Sequence, residues 1–375
     1  MDFDFTPDQE ALRDAVRRWV DKGFTFERRH ALAKAGGTTR AVWVELAELG
    51  LASLAVAESQ GGMGFGPVEA MVVSEELGRG LVNAPYAHAA LMAPQLLAAA
   101  PATLQAAWLP RIASGEALVV PALQERASRY RIEKVLTRAR QQGAGWVLDG
   151  VKCVVPAGDE ADAFLVPARV HGADDDPEGI ALFLVEHAQA QVMAYPTQDG
   201  ARAADLTLAG AAAELMAVDS HALLETAVDV GLAAHCAEAV GLMDRLVAVT
   251  VDYMNTRRQF GATLASFQAL RHRVADVKMQ LELGRSMSYF ASLKLGQPAP
   301  QRRRAVAQAR VQLGHSMRYV GQQCIQLHGG IGCTDEAIAS HYFKRLSMLE
   351  LSLGDTMHHL GEVSARMQDT AGVFA

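Results

Sequence analysis

Three short segments hold most of the groups in this sequence that suit a phosphate-bearing ligand. They are Arg257-Arg258-Gln259-Phe260-Gly261, Phe267-Gln268, and Gln326-Leu327-His328-Gly329-Gly330-Ile331-Gly332. The planar fork of Arg257 can make paired charge-assisted bonds to a phosphate; the plainer alternative is an arginine on a surface helix. Gly329, Gly330 and Gly332 either break a helix or, lacking side chains, let the backbone approach a ligand. Phe260 is either part of the same contact or a core aromatic. His328, His358 and His359 have no carboxylate or cysteine at ligand spacing and read as packing or surface residues rather than a metal site. The glycines Gly61, Gly62 and Gly64 lack the alternating strands and helices that a dinucleotide fingerprint requires, so they read as a loop.

These segments need a scaffold. The chain has 375 residues, enough for two or three domains. Thr6, with Gln9 three residues on and Pro7 in the first turn, starts an amphipathic helix that carries Leu12, Val16, Trp19 and Val20 on one face. Helical patterns continue through Trp43, Leu46 and Leu49 and through Ser74 to Arg79. After Ser114-Gly115 the texture changes to short β-prone runs: Val119-Val120, Trp146-Val147-Leu148, Cys153-Val154-Val155, Phe164-Leu165-Val166 and Ile180 to Val185. Their spacing predicts a small antiparallel barrel or sandwich. From about Ser220 long helices return, the first rich in small residues as close helix packing requires, with three more starting near Phe267, Arg304 and His341. The fold class expected is therefore α+β and mainly α: an N-terminal helical domain over 1–115, a middle antiparallel β-barrel over 116–217 and a C-terminal four-helix bundle over 218–375.

Composition narrows the function. A formal charge of -7 and a pI near 6.0 argue against a nucleic-acid partner, which needs a concentrated positive face. The Arg302-Arg303-Arg304 triplet reads as the solvated start of a helix. Cys153, Cys236, Cys324 and Cys333 show no paired spacing, the Met1-Asp2-Phe3 start is acidic rather than signal-like, and no run approaches membrane-spanning length. The expectation is a reduced cytoplasmic protein with no membrane span.

The ordered set of Arg257 to Gly261, Phe267-Gln268 and Gln326 to Gly332 resembles the acyl-CoA dehydrogenase family. Glu58 with Gly61-Gly62-Met63-Gly64, Glu75 to Arg79, and the block from Tyr253 add to the resemblance, which covers essentially the whole chain. Each motif alone is weak; their order and spacing together are specific. Within the family, Tyr342-Phe343-Lys344-Arg345 and Gly354-Asp355-Thr356-Met357-His358-His359 look most like the small subunits of two-gene enzymes acting on dicarboxylic or steroid-side-chain thioesters. The resemblance implies FAD as cofactor, an acyl-CoA substrate and an electron-transfer acceptor protein. It also implies that Arg257, Phe260, Gln268, Gln326, Gly329, Gly330 and Asp355 contact a flavin held mainly by a neighbouring subunit.

Other positions depart from the family pattern. Dehydrogenation needs a carboxylate for the α-proton opposite a flavin for the β-hydride. The family's two base positions are matched by Leu353 and Gly231, neither of which can accept a proton. The nearby carboxylates are Glu225, Asp229, Glu238, Glu350 and Asp355; Asp355 is nearest the expected turn but falls on the family's flavin-contacting threonine, which makes it the one weak candidate for base. In the middle domain Glu125 survives from a Thr-Glu-Pro run. The tryptophan that shields the flavin and the threonine that hydrogen-bonds it are replaced by Val154 and Pro156. Residues that reach across an interface are kept and those serving the chain's own flavin are altered. The resemblance thus implies a subunit of a heteromeric, α2β2 acyl-CoA dehydrogenase whose second, acyl-CoA dehydrogenase-like subunit supplies the base. The alternatives are a self-sufficient homo-oligomer using a displaced carboxylate, and a flavin-free structural or acyl-binding subunit. Oxidase chemistry on acyl-CoA or nitroalkanes stays open on the same fold.

Overall fold

Thr6 and Gln9 begin the first helix by capping each other: the Gln9 amide donates to Thr6 Oγ1 at 3.3 Å and the Thr6 amide to Gln9 Oε1 at 3.0 Å. This is α1 (Pro7–Gly23), with Val16 and Val20 buried along one stripe. The computed structural model describes residues 4–37 and 40–367; the Met1-Asp2-Phe3 start and the end of the expected bundle range, 368–375, lie outside the described residues. Five helices follow: α2 (Phe26–Lys34), α3 (Arg40–Glu48), α4 (Pro67–Arg79), α5 (Ala93–Leu97) and α6 (Ala102–Ala113).

The middle of the chain forms seven strands: β1 (Val119–Pro121), β2 (Arg138–Gln142), β3 (Gly145–Pro156), β4 (Ala163–Arg169), β5 (Ile180–Glu186), β6 (Gln191–Pro196) and β7 (Arg202–Ala217). β4 pairs with β5 along one edge, and with β1 and then β2 along the other. β2 pairs with β3, β3 with β7, and β7 with β5, so the pairing returns to β4 and the sheet closes into a barrel. β6 lies on the first part of β7. The barrel is not wholly antiparallel, because β4 runs parallel to β1 and β2. Parallel neighbours need a long connection, and the segment from β1 to β4 supplies one by containing the β2–β3 hairpin.

The last part comprises α7 (His221–Thr256), the two-residue strands β8 (Arg258–Gln259) and β9 (Ala262–Thr263), α8 (Gln268–Lys294), α9 (Ala299–His328), α10 (Ile338–Leu351) and α11 (Thr356–Met367). The stretch expected as one final helix is two, divided at Ser352 to Asp355. No helix among the described residues is long and apolar enough to cross a membrane.

The chain divides into two compact units. One contains Met1–Arg29, Pro67–Val82 and Leu232–Ala375; the other contains His30–Gly66 and Asn83–Gly231. In the first, α8, α10 and α11 pack on α9, and α4 crosses α7 so closely that neither helix has room for a side chain at the crossing. A Cβ on Gly241 would lie 1.8 Å from the Glu75 carbonyl oxygen, and one on Gly78 would lie 2.2 Å from that of Glu238. The Tyr342 hydroxyl donates to the Arg79 carbonyl at 2.6 Å and Arg345 Nε to Glu238 Oε1 at 2.6 Å, so the Glu75-to-Arg79 and Tyr342-to-Arg345 motifs serve packing. The Arg302 triplet is not a solvated helix start. Arg302 is buried, and Arg303 reaches Glu362 on α11 at 3.4 Å, because the extra helix covers this face of α9.

In the second unit the barrel is anchored by Glu125. Its Oε1 accepts from Lys152 Nζ at 2.6 Å and Thr137 Oγ1 at 2.7 Å, and its Oε2 from the Leu136 amide at 2.7 Å. Burial pushes this carboxyl upward, but Lys152 and the hydrogen bonds prevail and hold it below the usual carboxylate range. Lys152 is fully buried, so removing either partner would strand a charge.

Candidate functional site

The hairpin after α7 is built to project. The helix closes with the Arg257 amide donating to the Tyr253 carbonyl at 2.8 Å, and β8 then pairs with β9 across Arg258↔Thr263 and Gln259↔Ala262. Its tip is Phe260-Gly261, both at positive φ (54° and 80°). A bulky residue in that region is a true outlier, and this one is 89% exposed, its ring edge-on to Phe267 with centroids 6.3 Å apart. Phe260 is therefore not a core aromatic. The Arg257 side chain is exposed and makes no hydrogen bond or ion pair among the described residues. Gln268 opens α8 and is also exposed.

The glycine segment meets the end of α7 within the same unit. The Tyr253 hydroxyl donates to the His328 carbonyl at 3.3 Å, and the two rings stack at 4.6 Å. His328 Nδ1 donates to the Cys324 carbonyl at 2.9 Å, so this histidine serves packing. Three nearby glycines differ in what they require. Gly329 takes φ 67° and ψ −147°, a conformation essentially confined to glycine. Gly332 has no room for a Cβ, which would lie 2.8 Å from His328 Cβ. Gly330 is under neither constraint: its φ is not positive and a Cβ there would meet nothing within 4 Å. Nothing in its own unit explains the missing side chain, whereas a ligand approaching the backbone from outside would. Gln326, Gly329 and Gly330 are all exposed. An unpaired guanidinium and open glycine backbone fit a phosphate group.

At the expected base position Leu353 sits at φ 56°, followed by Gly354 at φ 123°. The turn is pinned from beneath by buried Arg310, whose Nη2 donates to the carbonyls of Leu349, Glu350, Ser352 and Gly354 at 2.9–3.2 Å. Gly354 packs on His359, where a Cβ would lie 2.5 Å from Nε2. Burial first, then Arg310, His358 and Arg303, hold His359 down to about 2, so it is neutral at physiological pH.

The candidate carboxylates are engaged elsewhere. Asp355 Oδ1 accepts the His358 amide at 2.8 Å, which makes it the cap of α11. Glu350 Oε1 accepts both the amide and the hydroxyl of Thr356, at 3.1 and 2.7 Å. Glu238 is paired with Arg345, and Glu225 and buried Asp229 stand on α7 before buried Gly231. Sequence reasoning allowed Asp355 to cap the turn after Gly354, which this bond bears out, but gave Glu350 no such role, because α11 itself was not anticipated.

The second unit presents the other edge in question. Val154 is half-exposed at φ 54° and its amide donates to Asp205 Oδ1 at 3.1 Å and to the Tyr195 hydroxyl at 3.2 Å. Pro156 has no amide to offer. Residues 154–156 thus do not fit the polar edge of a flavin. Asp205 and Tyr195 were not singled out from sequence; nothing local marks them, since Asp205 is brought opposite Val154 only by the β3–β7 pairing.

Residues 6–116 match the family model for the acyl-CoA dehydrogenase N-terminal domain and residues 221–368 that for its C-terminal domain. Over 388 aligned residues the chain is 29% identical to acyl-CoA dehydrogenase FadE27 of Mycobacterium tuberculosis, covering 99% of this chain and 100% of that one. A solved ChsE4-ChsE5 complex from Mycobacterium tuberculosis matches with a TM-score of 0.87 at 28% identity, over 98% of this chain and 99% of that chain. A steroid ACAD, Tcur3481-Tcur3483, matches with a TM-score of 0.87 at 26% identity, over 97% and 99%.

Proposed function

The chain belongs to the acyl-CoA dehydrogenase family, whose members are FAD-dependent oxidoreductases, and we propose that it is the subunit of a heteromeric enzyme that contacts the flavin phosphates held mainly by its partner. Bound FAD supplies the hydride acceptor for α,β-dehydrogenation of an acyl-CoA thioester. In this reading Arg257 bonds the pyrophosphate, Gln268, Gln326, Gly329 and Gly330 border the same ligand, and Phe260 packs against it or the partner. Asp355 caps its own helix rather than taking a proton. The partner supplies the α-proton base, and the active site lies at the subunit interface.

The observation that carries this reading is the hairpin. An aromatic 89% exposed in a strained conformation beside an unpaired arginine is costly for a chain that works alone and suits a contact made across an interface. The structurally similar ChsE4-ChsE5 complex supports a heteromeric assembly, which we take as α2β2, and the similar steroid ACAD supports a steroid thioester as substrate, which we take as a side-chain thioester. The domain ranges 1–115, 116–217 and 218–375, an electron-transfer acceptor protein and a cytoplasmic location complete the proposal. A homo-oligomer with a displaced base is disfavoured because Asp355 and Glu350 are used as caps. A flavin-free scaffold is disfavoured because it gives no reason for an open Gly330.

The test is flavin content. Purified alone, the chain should be colourless or poorly loaded; co-expressed with its partner, it should yield about one FAD per heterodimer. A yellow homo-oligomer with full occupancy from this chain alone would overturn the reading.

A further inference from the structure

We propose that Asp205 and Tyr195 close this chain's own barrel edge against a flavin ring, so that flavin is excluded by a built hydrogen-bond arrangement and not only by the loss of two contacting side chains. The inference rests on the subunit reading above and explains how a chain of this family comes to contact flavin held by another without holding its own.

The arrangement is a β-bulge. On β3 and β7, Lys152 is in register with Leu206 and Val155 with Ala204, so Cys153 and Val154 together face one residue, Asp205. A bulge of two residues against one redirects the strand and leaves a backbone group to be satisfied. Here that group is the Val154 amide, and its acceptors are Asp205 Oδ1 and the Tyr195 hydroxyl. Tyr195, on β6, spends its own proton on Asp205 Oδ1 at 2.7 Å. Val154 is β-branched and at positive φ, a conformation that persists only where surrounding contacts enforce it.

A full account of the backbone donors shows the consequence. The Cys153 amide donates to the Gln124 carbonyl at 2.8 Å, that of Ala157 to Arg202 at 2.9 Å and that of Gly158 to Val155 at 3.2 Å. Val155 lies in the ladder with β7, the Val154 amide is held by the Asp205–Tyr195 pair, and Pro156 has none. The polar edge of a flavin ring presents mainly carbonyl oxygens and ring nitrogens that accept hydrogen bonds. This edge of the barrel meets it with a carboxylate, which when ionised can only accept, and with no free amide from 153 to 158. Arg126 Nη2 is 3.7 Å from Asp205 Oδ2 but is highly exposed, so the carboxylate keeps its character as an acceptor.

The experiment uses the full chain and FMN, which carries the ring and one phosphate but lacks the AMP half of FAD and so most of the contacts assigned to Arg257 and its neighbours. FMN fluorescence quenching then reads this edge, while the FAD content of the co-expressed complex separately reads the subunit proposal, and either can fail alone. Wild type should show no FMN binding, and Val154→Trp with Pro156→Thr should show little. Adding Asp205→Ser and Tyr195→Phe should tighten FMN binding by at least about tenfold relative to that pair. Asp205→Asn with Tyr195 retained should open the edge less than the Ser/Phe change, because its amide oxygen still holds the Val154 amide although its NH2 adds a donor. The inference is overturned if the Trp/Thr pair alone binds FMN as tightly as the opened variant. It is equally overturned if the opened variant, with unchanged far-UV circular dichroism, binds no better.

Discussion

Asp355→Asn in the assembled enzyme distinguishes a helix cap from a general base. Asp355 Oδ1 accepts the His358 amide at 2.8 Å at the start of α11, and asparagine can accept the same bond; the two residues cap about equally well. The variant loses only the favourable field between a carboxylate and a helix N-terminus, about 0.3–1 kcal/mol. Asp355→Ala loses the cap as well, for about 1–2 kcal/mol in all. Loss of a general base, by contrast, lowers rate by about 10²–10⁴. We therefore expect turnover of the asparagine variant to fall less than about tenfold, with its urea midpoint almost unmoved and that of the alanine variant lower. The assay is acyl-CoA-dependent dye reduction by complex of matched flavin content. A thousandfold loss in Asp355→Asn with flavin still bound would show that this chain carries the base, and would promote the homo-oligomeric reading.

Three other outcomes follow from the same geometry. Arg257→Ala should weaken flavin retention in the complex by about 1.5–3 kcal/mol and leave melting unchanged, since the side chain has no partner among the described residues; unchanged FAD affinity would remove its assigned role. Arg310→Met leaves four carbonyls at the Leu353 turn without their donor and should cost about 1–3 kcal/mol in urea unfolding, whereas a loss well under about 1 kcal/mol would show that water replaces the guanidinium. His359 is held at about 2 in the fold against about 6.5 unfolded, so between those values the unfolded state binds the extra proton and stability falls as pH is lowered from about 6.5. One such group contributes up to about 1.4 kcal/mol per pH unit, and His359→Gln should flatten the slope by that amount; an identical slope would mean His359 titrates normally.

What the sequence reveals depends on how local the cause is. Thr6-Pro7-x-Gln9 announces α1 because its cap lies within one turn, and Ile180 to Val185 announces β5 because a continuous apolar run has few other uses. β7 escapes notice: its sixteen residues are rich in alanine and owe their strand state to partners on both edges, a tertiary effect that overrides propensity. β2, Arg138–Gln142, is polar because most of it faces solvent. The break before α11 had a larger effect. Gly354 was legible as a turn but not as the start of another capped helix, and that helix pairs Arg303 of the arginine triplet with Glu362 and occupies Asp355 and Glu350. The same rule divides the functional residues. Arg257 and the glycine segment, which we propose meet an outside ligand, can be read from sequence because such a group would owe little to its own fold. Asp205 cannot, since its effect on Val154 acts across 51 positions of chain and exists only once β3 and β7 pair with a bulge. Loss of Trp and Thr at 154 and 156 would therefore understate the change at this edge: a substituted side chain can be restored by one mutation, whereas an amide already bonded to a carboxylate must first be released.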